Sequence, residues 1–394
     1  IEAADRLQII GRAGVGVDNI DLEAATQRGV LVVNAPDGNS IAAAEHTIAM
    51  MMALARHIPQ ADASLRARTW ARRAFVGVEI AGKTLGVIGM GRIGREVARR
   101  GRALQMSIVA YDPYVSQEQA ERMGVELCDL DALLAQADFI TIHVPLTDAT
   151  RGLIGEGEMA LLKPTAQLIN CARGGIVDEA ALAAALEAGQ LAGAALDVFE
   201  QEPPFDSALL DSEKVIVTPH LGASTREAQV AVALDVARQI LDVLEGRPAT
   251  HPVNGPLVPP ETQAQLIPFC EMAEKLGAAG RQLVDRRLSQ VRIIYAGQLA
   301  EMDTSLLRAL VIKGLLQAVT EARITPVNAS LIARERGLRV IEEKTGDAGH
   351  FANLVTLCFA SNGNEHVISA TIMHDEPYIV RIDRYWLDFT MRGN

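Results

Sequence analysis

The chain has 394 residues, 49% hydrophobic and 22% charged, which implies a globular protein of two or three domains with sizeable cores. Its net charge of −12 argues against non-specific attraction to nucleic acid or to an anionic membrane surface. Cys128, Cys171, Cys270 and Cys358 lack the spacing of a metal site or disulfide framework, so no metal is expected and a reducing cytoplasm is. No signal peptide or membrane span is expected either, because the apolar run at 41–54 is short and carries Glu45 and His46.

A buried strand is expected at 7–10, ending at Gly11, followed by the loop RAGVGVDN at 12–19. Gly14 and Gly16 would let backbone N–H groups converge on a carboxylate, and a bare strand-to-helix turn accounts for the pattern equally well. A second strand is expected at 30–34. Ser40 is then expected to cap a long apolar helix over 41–58, in which His46 and His57 read as packed or exposed residues rather than ligands. Arg66, Arg68, Arg72 and Arg73 surround Trp70. That basic cluster fits either a solvated helix end or an arm that offers guanidinium groups to an anion.

From 82 to 220 strands and helices alternate, which predicts an α/β fold with a doubly wound parallel sheet. Strands are expected at 85–88, 107–111, 125–127, 138–144, 166–172, 192–198 and 214–218, with helices such as 130–136 and 178–188, the latter capped by Asp178. Gly89, Gly91 and Gly94 follow the first of these strands and open a helix. The first glycine permits a tight turn, the second lets the backbone approach a pyrophosphate, and the third packs helix against strand. The unpaired N–H groups of the helix N-terminus would face the phosphates. The second strand stops at Asp112, placed to accept hydrogen bonds from ribose hydroxyls. Pro113 and Tyr114 follow it rather than an Arg that could hold a 2′-phosphate, which favours NAD over NADP.

The motif STRE at 224–227 reads as a capping box opening a helix to 245. The proline-rich segment GRPATHPVNGPLVPP at 246–260 reads as a linker. Beyond it come expected helices at 261–288, 305–322 and 328–337 and strands at 291–295, 354–359, 366–373, 378–382 and 386–390. These would form a separate α+β domain with few contacts across the linker and no catalytic constellation.

Arg173, Asp197, Glu202 and His220 each lie at or just beyond the end of an expected strand, where ligands of such sheets bind. Oxidising an alcohol with NAD requires a base for the hydroxyl proton, and histidine, with a reference pKa near ~6.5, suits that task. A carboxylate beside it, such as Glu202, would orient the ring and favour the imidazolium. A guanidinium such as Arg173 would bind a substrate carboxylate and polarise the carbonyl oxygen.

At these residues the chain resembles the D-isomer-specific 2-hydroxyacid dehydrogenases, through RAGVGVDN, NAPDGNS, GMGRIG, YDP, NCARGGIVDE, EPP and PHLGAST over residues 1–255. The resemblance implies that Arg173, Glu202 and His220 form the catalytic set. Beside Gly89, Gly91 and Gly94, it implies NAD contacts at Val15, Arg92, Ile93, Asp112, Val144, Cys171, Ala172, Asp197, and from His220 through Gly222 to Ala223. Substrate contacts are implied at Arg12, the Val15 and Gly16 backbone, Asn39 and Ser40. The family's Arg-bearing arm reaches into the neighbouring subunit's site, so Arg72 or Arg73 is expected to meet a phosphate in trans within a homodimer or dimer of dimers.

The same resemblance implies a Rossmann-like NAD domain at 76–224, a partial flavodoxin-like substrate domain from 1–75 with 225–250, a linker at 251–260 and a regulatory, intervening-type α+β domain at 261–394. An N-terminal stretch of the substrate domain and a terminal ACT domain are expected to be missing from this chain. The regulatory domain is expected to respond to an anionic small molecule or a neighbouring subunit. The branch of the family that fits best oxidises 3-phospho-D-glycerate to 3-phosphohydroxypyruvate, the first step of serine biosynthesis. A glyoxylate or hydroxypyruvate reductase, whose Arg12 and arm would meet no phosphate, is the alternative within the family. An NAD-sensing co-repressor-like dimer is the alternative outside enzymes, and it would end in a disordered tail rather than the periodic 260–394.

Overall fold

Residues 1–36 and 233–394 form one unit of the computed structural model, and residues 37–232 form the other. The structure describes residues 1, 3–284, 288–361 and 364–392. The first unit opens with β1 (Ile9–Arg12), α1 (Leu22–Gln27) and β2 (Leu31–Asn34), whose strands pair in parallel with Arg12 opposite Asn34. Arg12 therefore closes a strand rather than opening a loop, a correction to the expected end at Gly11. The ladder to β2 carries on for as long as both chains have partners.

In the second unit, α2 (Ser40–Ala55) begins with Ser40 as its first residue, while Asn39 takes the cap position without a side-chain bond. The expected continuous helix breaks at His57, whose φ is 51°, and restarts as α3 (Ile58–Arg66) with Pro59 in its first turn. Proline lacks an N–H and has a fixed φ, so it suits a helix start and not a helix interior. Arg72–Phe75 forms a short 3-10 turn beyond.

Seven strands follow: β3 (Thr84–Ile88), β4 (Ser107–Tyr111), β5 (Glu126–Leu127), β6 (Phe139–Ile142), β7 (Gln167–Asn170), β8 (Gly193–Leu196) and β9 (Val215–Val217). They are interleaved with α4 (Arg92–Ala103), α5 (Gln117–Met123), α6 (Leu130–Gln136), α7 (Glu156–Met159) and α8 (Glu179–Glu187), the last capped by Asp178 Oδ1, which accepts from Ala181 N at 2.9 Å. The strands pair in parallel in the order β5-β4-β3-β6-β7-β8-β9, so the winding reverses beside β3, the position where such sheets bind ligands. Met50, Met51 and Leu54 of α2 join Val97 of α4 against Leu85, Val87 and Ile169. Leu133 and Leu134 of α6 join Leu182 and Leu186 of α8 against Ile140, Ile142 and Leu168. Burying both faces explains the nearly continuous apolar runs of these strands. It also draws α2 onto this sheet, although the sequence reading placed it with the substrate domain.

α9 (Arg226–Leu244) is capped by Thr225, whose Oγ1 accepts from Ala228 N at 3.1 Å, one residue beyond the expected Ser224. The proline-rich segment after it is no free tether, which corrects the linker expectation. Asn34 N donates to His251 O, Val253 N donates to Val32 O, and Pro252 forms an antiparallel bridge with Val33. The open edge of β2 has N–H and C=O groups to satisfy, and residues 251–254 supply the partners.

α10 (Pro260–Gln282) stops short of the expected 288, and residues 285–287 of that helix lie outside the described residues. It packs with the next helix against the second sheet. The elements are β10 (Gln290–Gly297), α11 (Ser305–Gln317), α12 (Ala329–Glu335), β11 (Arg339–Thr345), β12 (Asn353–Ser361), β13 (Asn364–Met373), β14 (Glu376–Ile382) and β15 (Tyr385–Thr390). Their order is β11-β10-β12-β13-β14-β15, with β11 parallel to β10 and the other pairs antiparallel. β11 was not expected. Its sequence RVIEEKT carries the charges of an edge strand instead of alternation, and Glu342 is held by Arg308 Nη1 at 2.6 Å.

The expectation of few contacts between this domain and the start of the chain also needs correcting. Asn328 is 1% exposed, and its Nδ2 donates to Gln27 O at 3.3 Å and Arg323 O at 3.0 Å. Thr325 Oγ1 donates to Gly29 O at 3.0 Å, and Arg323 Nη1 donates to Leu7 O at 2.9 Å. Removing a buried polar group strands its partners, at about 1–3 kcal/mol. Asn328→Ala is therefore expected to lower the unfolding free energy by about 1–3 kcal/mol, read as a lower denaturation midpoint, while NAD titrates normally; an unchanged midpoint would show that the network stabilises nothing. Among the described residues no helix is long and apolar enough to cross a membrane.

Candidate active site

Between β3 and α4 the chain makes the glycine turn that the sequence announces. Gly89 has φ 94°, and a Cβ there would stand 2.7 Å from His143 O, at the exit of the neighbouring β6. A Cβ on Gly94 would stand 1.9 Å from Gly89 O, so helix and turn touch only because Gly94 has no side chain. At Gly91, nothing lies within 4 Å of a Cβ among the described residues. The turn is thus closed where it must pack and open in front of the α4 N-terminus, which is the form of a pyrophosphate cradle.

Asp112, after β4, accepts from Met90 N through Oδ2 at 2.7 Å and from Tyr114 N through Oδ1 at 2.9 Å. It fastens the glycine turn to the end of β4, and each oxygen keeps a further lone pair for a ribose hydroxyl. Arg92 Nε lies 2.5 Å from Asp37 Oδ1, with both side chains more than half exposed. Ile93 packs against the core shared with α2, and Val144 packs against the core on the opposite face. His143, between the glycine turn and Thr141, is pushed by burial down to about 3, so it is a neutral imidazole at physiological pH.

Arg173 follows β7. Asn170, 2% exposed, donates to Arg173 O at 2.9 Å and accepts from Ala172 N at 3.0 Å, which sets the turn that carries the guanidinium. Glu202 and His220 meet beyond β8 and β9. His220 Nδ1 lies 2.9 Å from Glu202 Oε2 and 3.2 Å from Oε1, with side chains 48% and 40% exposed. Phe199 N donates to Glu202 Oε1 at 3.2 Å. With its Nδ1 proton directed at the carboxylate, the imidazole keeps a lone pair on Nε2, the arrangement of a general base with an anionic orienter. His220 has φ 56°, a left-handed backbone that a residue with a Cβ holds only under constraint.

The constraint comes from Asp197, which is fully buried and accepts from Leu221 N at 2.7 Å and from Gly222 N at 2.8 Å; Ala223 follows, half-buried. Burial works to raise the Asp197 carboxyl, and bonds from His46, Thr218 and Leu221 N outweigh it, so the group sits below its ordinary range and is ionised. Burial also pushes the Cys171 thiol up to about 12, which keeps it protonated. Ligand atoms of His46, Cys171 and Asp197 lie within 4.8 Å of one another, a donor set of the kind a zinc ion takes. The Asp197 oxygens, however, are already occupied by protein donors.

The expected substrate residues fall in both units. In residues 37–232, Asn39 and Ser40 are buried at the start of α2, and Asn39 Oδ1 has no hydrogen-bond partner among the described residues. In the other unit, Arg12 Nη1 donates to Ala13 O at 2.9 Å, and its buried Nε has no partner among the described residues. Val15 O there accepts from Asn34 Nδ2 at 2.7 Å, and Gly16 follows in the same loop. Arg72 and Arg73 stand exposed beside Trp70, itself 81% exposed.

Residues 48–222 match the D-isomer specific 2-hydroxyacid dehydrogenase NAD-binding domain, and residues 265–383 match the D-3-phosphoglycerate dehydrogenase intervening domain. The whole chain is 48% identical to a D-3-phosphoglycerate dehydrogenase of Methanocaldococcus jannaschii, over 75% of that protein. The chain belongs to this dehydrogenase family. Relatives of the same description include that of Synechocystis, 49% identical over 98% of this chain and 70% of the other. Among solved structures, a glyoxylate reductase from Paecilomyes thermophila is similar with a TM-score of 0.59 and 36% identity, over 63% of this chain and 76% of that one. A D-lactate dehydrogenase from Aquifex aeolicus, complexed with NAD and lactic acid, is similar with a TM-score of 0.56 and 32% identity, over 61% and 77%. NAD is the family's cofactor, and the open cradle at Gly91 fits it.

Sequence reasoning missed His46, Asn170 and Thr218 as parts of this site. Asn170 stood within a motif already singled out and was legible there. His46 is far away in sequence, on a helix whose packing decides its neighbours.

Proposed function

We propose that Arg173, Glu202 and His220 carry the NAD-dependent oxidation of 3-phospho-D-glycerate to 3-phosphohydroxypyruvate, the first step of serine biosynthesis. The observation that carries this reading is the His220–Glu202 pair at 2.9 Å, beyond the strand ends of a sheet with a dinucleotide cradle. Gly89, Gly91, Gly94 and Asp112 would hold NAD, which when bound supplies the acceptor for the hydride leaving the alcohol carbon. His220 Nε2 takes the hydroxyl proton, and Glu202 stabilises the imidazolium that forms. Arg173 holds the substrate carboxylate and offsets negative charge developing on the oxygen. Asn39 Oδ1, without a hydrogen-bond partner among the described residues, supplies a further contact to a substrate hydroxyl. Four cysteines without disulfide partners support a reducing compartment, such as the cytoplasm, for this chemistry.

Assaying 3-phosphoglycerate, glycerate and lactate in parallel tests the reading. Turnover that strongly prefers the phosphorylated acid supports it, and equal or greater turnover of glycerate or lactate overturns it.

The exposed arm is part of the proposal. Its Arg72 and Arg73 would complete the phosphate site of a neighbouring subunit in a homodimer. Hybrids of Arg72→Ala/Arg73→Ala with His220→Ala, formed by co-expression, are expected to regain part of the activity that each variant lacks. One site in each hybrid then has an intact base and an intact arm. Absence of any recovery in purified hybrids would place these arginines outside the partner's site.

A further inference from the structure

We infer that His46 is a positioning residue for the catalytic histidine, acting through the buried Asp197; the inference rests on the reading of His220 as the base. His46 is on α2, and its Nε2 lies 3.2 Å from Asp197 Oδ1 and 3.2 Å from Thr218 Oγ1. Thr218 Oγ1 donates to the same Oδ1 at 2.5 Å. From the other side, Leu221 N and Gly222 N donate to the carboxylate at 2.7 and 2.8 Å, and His220 N donates to Asp197 O at 2.9 Å. Asp197 therefore gathers both flanks of the segment 218–222, with His220 at its centre in the left-handed conformation.

A fully buried carboxylate that accepts backbone N–H groups is a precise clamp only if it stays ionised and its own orientation is fixed. Thr218 cannot fix it independently, because Thr218 belongs to the segment being clamped. His46 can. It comes from a helix whose Met50, Met51 and Leu54 are locked into the sheet core, and its side chain is only 19% exposed. The imidazole N–H thus references the clamp to the rigid body of the fold, and through it the direction in which His220 Nε2 faces. A histidine that merely filled space in this position would affect stability and leave the rate of the chemical step alone.

The test is steady-state kinetics of full-length His46→Leu, His46→Asn and His46→Gln. Gln carries its amide N–H at about the reach of imidazole Nε2, whereas Asn is polar but too short to make the bond. The Leu and Asn variants are expected to lose about tenfold in kcat, with KM for the substrate within about twofold, and Gln is expected to recover most of the loss. The Asn and Gln pair decides the matter even where Leu fails to fold. A kcat within about twofold of the parent in Asn, a loss confined to KM, or a Gln variant as impaired as Asn would each overturn the positioning role. His220→Ala is measured alongside. Turnover retained there overturns the base assignment and this inference with it, whereas turnover lost there and retained in His46→Asn overturns the positioning role alone.

Discussion

Replacing His220 by Ala is expected to lower turnover by about 10²–10⁴-fold while NAD affinity changes little, because general acid–base catalysis is worth that much and the ring stands beyond the glycine cradle. Glu202→Gln separates orientation from charge. Gln can still accept a hydrogen bond from Nδ1, but it gives the imidazolium no counter-charge. Turnover is therefore expected to fall by about tenfold or more while NAD affinity changes little, because the developing imidazolium loses its anionic partner. A Gln variant with the parent's turnover would mean that the charge of the carboxylate 2.9 Å away contributes nothing to the proton transfer.

NAD is expected to bind about 10²-fold or more tightly than NADP. The 2′-phosphate of NADP would sit against the Asp112 carboxylate, and two like charges about 4 Å apart at a partly solvated site repel by a few kcal/mol. Asp112→Asn keeps an acceptor for Met90 N, now made at 2.7 Å, and removes the charge. That variant is expected to narrow the preference by about tenfold, mostly through better NADP binding. Comparable dissociation constants for the two nucleotides in the parent protein would refute the assignment of Asp112 to the ribose.

The parts of the site that were legible in the sequence are those whose chemistry is local. A glycine turn between an apolar strand and a helix can be read because its packed glycines answer short-range steric demands, and Gly89 and Gly94 meet such demands at the expected places. Asp178 capped its helix as expected for the same reason, since a side-chain oxygen three residues from the N–H it accepts is set by local geometry. Strand edges were less legible. The expected strand at 138–144 shrank to Phe139–Ile142, because apolar residues continue past the point where the ladder ends and the binding crevice begins.

Composition and pattern alone determined the doubly wound sheet and the second α+β domain, and they marked Arg173, Glu202 and His220 as the candidates for the chemistry. Tertiary structure alone decided who stands beside whom. The break at His57 turned on a proline that needs a helix start, and the proline-rich 246–260 became a pairing segment because β2 had an open edge. The buried network of Asn328 and Thr325 joins the C-terminal domain to the 7–31 segment, and no periodicity marks such a contact. The His46–Asp197–Thr218 cluster is the sharpest case. His46 stands more than a hundred residues from both Asp197 and Thr218, and nothing in its own stretch of the chain marks it as their neighbour. A hydrogen bond acts over about 3 Å, and only the folded chain sets distances of that kind between residues so far apart in sequence.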